Sequence, residues 1–292
     1  MPNSPFILKK MFSQTTLDTV LQFATPNCAK PSHIDGLWLN YANQNTYFSD
    51  HIQLSSINFC LHGTLNLFVN QTWQTISVGD MVFTPIHLPV SANFLPKNQN
   101  DIFLAVHLQL DETVLMSIIN QLPHNKSHPE QTDHTAPISP AIADCISRLI
   151  ALLPQENPQF LANLYIQELY CHLLYSPFGV SLAQLVSPNS VLYKIKHICR
   201  FIDTHFHQSF RVGDLAKLGA WGESQFYHHF KHITGLSPIA YQKMVRLNHA
   251  KSLILNKGLT ISQVAYEVGY ESVSQFSREY KRQFGISPSL DK

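Results

Sequence analysis

One segment in the last third of the chain occurs twice. Leu215-Ala216, Phe226, Phe230-Lys231, Gly235 and Ser237-Pro238 return as Val264-Ala265, Phe276, Tyr280-Lys281, Gly285 and Ser287-Pro288. The offset is 49 residues before the central turn and 50 after it, so the second turn is one residue longer. Two copies are too few to stack into a solenoid. What the repeat does permit is two copies of one small helical unit joined by a single helix.

The second copy, Thr260–Lys281, reads as helix, tight turn, helix. Thr260 with Gln263, and Ser272 with Gln275, have the spacing of a capping box. Ile261, Val264, Ala265 and Val268 give the first helix one apolar face. Gly269 stands where the turn needs a residue tolerant of positive φ. Phe276 and Tyr280, four apart, pack the second helix inward. Ser272 at the cap, then Ser274, Gln275, Ser277, Arg278, Lys281 and Arg282, are expected to face outward, with Glu279 as the one acid of that face. A helix-turn-helix of this kind lays its second helix in the DNA major groove.

In the first copy the reading helix is expected over Glu223–His232, with Ser224, Gln225, Tyr227, His228 and Lys231 outward and Gly222 at the N-cap. Ser237 and Pro238 then cap and open a connecting helix that buries Met244, Leu247, Ala250 and Ile254 and stops near Gly258. Such a connector can hold two reading helices about one DNA turn apart. Arg278 has the donor geometry for guanine, and Gln275 or Gln225 that for adenine. Lys231, Lys281 and Arg282 suit phosphates, which fix register without carrying sequence.

Charge follows the same division. From Ser190 onward there are 14 Lys and Arg against 7 Asp and Glu, a balance of +7; the preceding residues carry 6 against 12, a balance of −6. A basic C-terminal third on an acidic body points to a polyanion as partner of that third alone, and the helix-turn-helix reading makes that polyanion double-stranded DNA.

Upstream the periodicity changes. Leu17, Val20, Leu21 and Ala24 form a short amphipathic lead. From Gly36 to about Leu110, short runs such as GLWLNY, IQLSSINFCL, TLNLFV and DMVFTPI are β-branched and aromatic, separated by Gly, Pro and Asn. Their spacing predicts a small barrel or sandwich able to hold a small molecule. Phe59, His62, Trp73, Phe83 and His87 are the candidate ligand-lining residues. His33, His62, His87 and His107 show no paired ligand spacing, so no metal, cofactor or catalytic set is expected, and an enzyme is disfavoured. Residues 121–140, rich in Pro and His, read as a surface connection. Ala141–Leu153 and Gln159–Leu174 are amphipathic helices that cover the barrel or form a homodimer seam. Ser176–Asn189 reads as a linker, followed by a helix over Val191–Phe206 with Lys194, Lys196 and Arg200 in solvent. Five cysteines without a C-x-x-C pair, no membrane-length apolar run and a start lacking a signal-peptide core fit a cytoplasmic protein.

These motifs resemble those of the AraC/XylS transcription regulators. The match covers Tyr193–Pro288, through LAKLGAWGESQFYHHFKHITGLSPIAYQKMVRL and ISQVAYEVGYESVSQFSREYKRQFGISP. GDMVFTPIHLPVSANF and IQELYCHLLYSPFG are similar to a strand pair and the last helix of the AraC-type N-terminal domain. The resemblance implies an α+β chain: a cupin-like β-barrel with covering helices over 1–178, a linker over 179–190, and an all-α domain with two helix-turn-helix units over 191–292. It also implies a small-molecule effector and action on RNA polymerase. Arg278 matches a base-contacting arginine of the family, with Ser274 and Gln275 beside it. Where the family usually has a basic reader, a turn glycine and Met-Ser, this chain has His228, Ala220 and Trp221-Gly222, which implies base discrimination by the first unit that is either weaker or pH-sensitive. A constitutive DNA-binding protein, whose barrel only packs or dimerises, stays open beside the effector reading.

Overall fold

The computed structural model describes residues 11–53, 55–69, 72–86, 88–122, 134–256 and 259–291. The chain divides into two compact units, 1–187 and 188–292.

Unit 1 opens with α1 (Gln14–Phe23), capped by the Ser13 side chain on the Thr16 amide, with Leu17 and Val20 buried. Among the described residues ten strands follow: β1 (Cys28–Pro31), β2 (Leu37–Ala42), β3 (Thr46–Gln53), β4 (Ser56–His62), β5 (Thr64–Val69), β6 (Thr72–Ser77), β7 (Asp80–Thr84), β8 (Leu88–Phe94), β9 (Phe103–Gln109) and β10 (Thr135–Pro137). They form two antiparallel sheets, ordered β1-β2-β9-β4-β7-β10 and β3-β8-β5-β6. Side chains from both sheets meet in one interior: Ala42, Cys60, Val82, Phe103 and Ala105 from the first, Leu67, Ile76, Ala92 and Phe94 from the second. The alternate residues of β4, β7 and β9, among them Ile57, Phe59, Met81, Phe83, Val106 and Leu108, are also buried, so the six-stranded sheet is covered on both faces.

The further helices described in this unit are α2 (Glu112–Gln121), α3 (Pro140–Ile150), α4 (Gln159–Leu174) and α5 (Gly179–Val186). The sequence did not announce α2, although Asp111 caps it by accepting from the Thr113 and Val114 amides. Two expectations are corrected. The surface connection of 121–140 contains β10, paired with β7, although His124 and His128 lie outside the described residues. The linker of 179–190 is helical over α5, with Leu182, Leu185 and Val186 buried. A Cβ at Gly179 would meet the Leu174 carbonyl at 2.0 Å, so this small residue serves close packing and not linker freedom.

Unit 2 contains α6 (Val191–Thr204), α7 (Val212–Leu218), α8 (Glu223–Thr234), α9 (Pro238–Asn256), α10 (Ile261–Glu267) and α11 (Val273–Phe284). The duplicated pairs are α7–α8 and α10–α11, each packed on α9 or its neighbours. Phe226 and Phe230 are fully buried in the first pair, Phe276 and Tyr280 in the second. No single helix among the described residues is long and apolar enough to cross a membrane.

Candidate nucleic-acid interface and barrel interior

In the second pair the capping box expected of Thr260 with Gln263 is complete, whereas the one expected of Ser272 with Gln275 is half formed, because the Gln275 side chain turns to Glu279. The Thr260 side chain accepts from the Gln263 amide while the Gln263 side chain accepts from the Thr260 amide. Ser272 accepts from the Gln275 amide at the start of α11. Gly269 takes φ +86, and a Cβ there would lie 2.3 Å from the His207 carbonyl oxygen. Val264, Ala265, Val268, Tyr270, Phe276 and Tyr280 close a core with Leu247, Ala250 and Ile254 of α9. With one face so occupied, α11 leaves Ser274, Gln275, Arg278, Lys281 and Arg282 exposed and Ser277 half-buried; Ser272 is exposed at the cap.

Glu279 departs from the expectation of a solvated acid. Its side chain is only 12% exposed and lies 2.9 Å from the Lys243 ammonium of α9. The Tyr270 hydroxyl donates to it at 2.8 Å and the Gln275 amide at 3.3 Å. Burial would raise this carboxyl, but these hydrogen bonds outweigh it and hold Glu279 below the ordinary carboxylate range. The acid therefore ties the reading helix to the connector and orients one base-reading candidate. Arg278 Nε in turn donates to the Ser274 carbonyl at 3.3 Å.

The first pair reaches the same shape with poorer local signals. Gly222 caps α8 without a side-chain bond, and Ala220 holds the turn at φ +58. Lys194 was expected in solvent but donates to the Gly219 carbonyl at 3.1 Å and lies 5.3 Å from the Trp221 ring centre. Trp221 packs against His229. Ser224, Gln225, Tyr227, His228 and Lys231 are all exposed on α8. Sequence reasoning missed Arg246 and Gln242, both on α9. Arg246 Nε donates to the Phe206 carbonyl at 2.7 Å, and Gln242 Nε2 to the same oxygen at 2.9 Å. They fix the 206–208 turn whose His207 carbonyl faces Gly269. The signal was present as two polar residues among the apolar positions of a connecting helix.

In the barrel the candidate lining residues do not converge. Phe59 and Phe83 stand on the face opposite Cys60 and Val82 of the interior, and Phe83 packs against Phe178 at 5.5 Å between ring centres. Trp73 is 54% exposed and packs against Phe68 on the outer face of its sheet. His62 is exposed beyond a register shift at the end of β4, and His87 lies outside the described residues. The interior instead presents residues the sequence reading passed over: Trp38, Ser56, Asn58, Thr84 and His107.

Among the described residues one group has metal-ligand chemistry, Cys145, Glu168 and His172, with ligand atoms within 4.8 Å of one another. Both Glu168 oxygens accept from the Arg148 guanidinium, at 2.7 and 2.8 Å. Arg148 also donates to Cys145 Sγ at 3.3 Å, so a cation already stands in that position.

Comparison with known proteins agrees with this architecture. Residues 33–181 match the model of the AraC-type transcriptional regulator N-terminus, and residues 215–290 match a helix-turn-helix domain model. The chain is 27% identical over 240 residues to the HTH-type transcriptional regulator ExsA of Pseudomonas aeruginosa, covering 80% of this chain and 79% of that one. It is 30% identical over 158 residues to the virulence regulon transcriptional activator VirF of Yersinia enterocolitica, covering 52% and 56%. The crystal structure of ToxT from Vibrio cholerae with an unsaturated fatty acid bound superposes with a TM-score of 0.58 at 12% identity, over 87% of this chain and 93% of that one.

Proposed function

The chain belongs to the AraC-type family of transcriptional regulators, and from that premise we propose how its parts divide the work. Unit 2 grips duplex DNA with α8 and α11, and α11 carries most of the base reading. The observation that carries this reading is the two-faced burial of both helices: Phe226 and Phe230, or Phe276 and Tyr280, are sealed in, while polar and basic side chains stand opposite. Arg278 reads guanine, with Gln275 and Ser274 beside it. Lys231, Lys281 and Arg282 bind phosphates. Ser224, Gln225, Tyr227 and His228 supply the shallower contacts of the first helix. Arg278→Ala is expected to cost about 1–3 kcal/mol on a selected duplex and to relax preference at one base pair. Equal losses on selected and random duplexes, measured by titration at fixed salt, would overturn the assignment.

Unit 1 supplies pairing and control. On α4, Phe160 is 78% exposed and Leu161, Leu164 and Tyr175 are also exposed on that side, opposite the buried Ala162, Leu169 and Leu173. We assign this stripe to a second copy of the chain, which would let a dimer read two half-sites. Leu164→Asp should halve the mass seen by sedimentation; a mass that does not change contradicts the seam. A small molecule in the barrel interior, by analogy with the fatty acid bound to ToxT, shifts the DNA-competent population. Contact with RNA polymerase in the cytoplasm then converts occupancy into a change of transcription.

A further inference from the structure

The interior face of the six-stranded sheet is apolar at one end and polar at the other. By register, Trp38, His107, Asn58 and Val82 lie side by side on β2, β9, β4 and β7. The next row is Gln109, Ser56 and Thr84. Both rows share the strand parity of Ala42, Cys60, Val82 and Ala105, which face the interior. Gln109 is exposed, whereas Ser56 and Thr84 are buried, so the polar row runs from solvent into the fold.

Ser56 is 0% exposed, yet its hydroxyl oxygen meets no hydrogen-bond partner. A buried hydroxyl left unpaired costs stability, and folded proteins rarely keep one without a use. Next to its row, His107 Nδ1 lies 3.2 Å from Asn58 Oδ1. Burial pushes the His107 imidazole down to about 4, so the ring is neutral near pH 7. The Trp38 ring, 6.3 Å from that imidazole between centres, makes a flat wall beside it. Among the described residues of this face the charged side chain is Asp80, and its carboxylate accepts from the Ser77 amide at the β6–β7 turn.

We propose that the barrel takes an uncharged small molecule, bound through hydroxyl or amide groups to Ser56, Asn58 and His107, and that it discriminates against carboxylates. The proposal rests on the effector reading given above and narrows its ligand class. The two rows offer hydroxyls, an amide and an imidazole, which both donate and accept, and an indole, which only donates. A neutral amide or alcohol exchanges hydrogen bonds with such a row at little loss. An ionised acid would leave water for a face on which no described residue supplies a cation.

The test uses the full-length protein and matched probes: hexanoate with hexanamide, benzoate with benzamide, and cinnamate with cinnamamide. Thermal unfolding is followed for the natural chain and for Ser56→Ala and Asn58→Leu. At least one amide should raise the melting temperature while its acid does not, and both substitutions should abolish the shift. Ser56→Ala should also raise the melting temperature of the free protein by roughly 2–4 °C, because the unpaired hydroxyl is gone. Stabilisation by acids alone would overturn the neutral class and leave an effector in place. An amide shift that survives both substitutions would place the ligand elsewhere. No shift from any probe would overturn the neutral-ligand assignment, whereas the effector reading itself falls only if a broad metabolite library also gives no shift.

Discussion

The two helix-turn-helix units of this chain solve one geometrical problem with unequal local means. In the second, a capping box at Thr260, a serine cap at Ser272 and a glycine at φ +86 each supply what the backbone requires. In the first, the corresponding cap is Gly222 and the turn is forced onto Ala220 at φ +58. The first unit holds its shape through packing and one long-range bond instead: Leu215, Phe226 and Phe230 are sealed, Trp221 fills the turn, and Lys194 closes on Gly219. Their outer faces differ in parallel. α11 exposes Arg278, Lys281 and Arg282, whereas α8 exposes Tyr227, His228 and Lys231. A duplicated unit thus keeps its buried residues and lets its turns and readers diverge, because burial is what holds the helices together and the exposed face answers only to the ligand.

Breaking the better-built turn should have the largest effect. Gly269→Ala places a Cβ 2.3 Å from the His207 carbonyl oxygen at a left-handed φ, and should destabilise unit 2 by about 2–4 kcal/mol. Denaturant unfolding that matches the natural chain would show that the turn relaxes freely. Thr260→Ala removes the hydroxyl that accepts from the Gln263 amide, the side-chain half of the capping box, and should cost about 1 kcal/mol in the same assay. The smallest effect runs the other way: Ala220→Gly relieves the positive φ of the first turn and should stabilise by about 0.5–1 kcal/mol. A loss of stability there would mean that the two turns are not under opposite local constraint.

Much of unit 2 was legible because its signals are local. Periodicity placed Val264, Ala265, Phe276 and Tyr280 in the core, and cap spacing placed both helix starts. Glu279 was misread because its partners, Lys243 and Tyr270, come from another helix and from the preceding turn. In unit 1 the strands were recognisable, but which face of each strand looks inward was not. Phe59 and Phe83 fit a pocket as well as a helix-covered face, and the choice depends on where α4 and α5 lie. Helix α5 was hidden by the proline and small residues around it, since eight residues carry too little periodicity to outweigh them. Ser56 carried no signal at all, because a lone serine in an apolar strand gains meaning only when its neighbours leave it unpaired.

The assignment of base reading to α11 is tested most directly by selecting duplexes from a random pool with the full-length protein, in parallel with Arg278→Ala and His228→Ala. The natural chain should enrich a defined motif. Arg278→Ala should erase preference at one position of it, and His228→Ala should leave the motif nearly intact. No enrichment by the natural chain, or a motif that depends on His228 and ignores Arg278, would contradict the account.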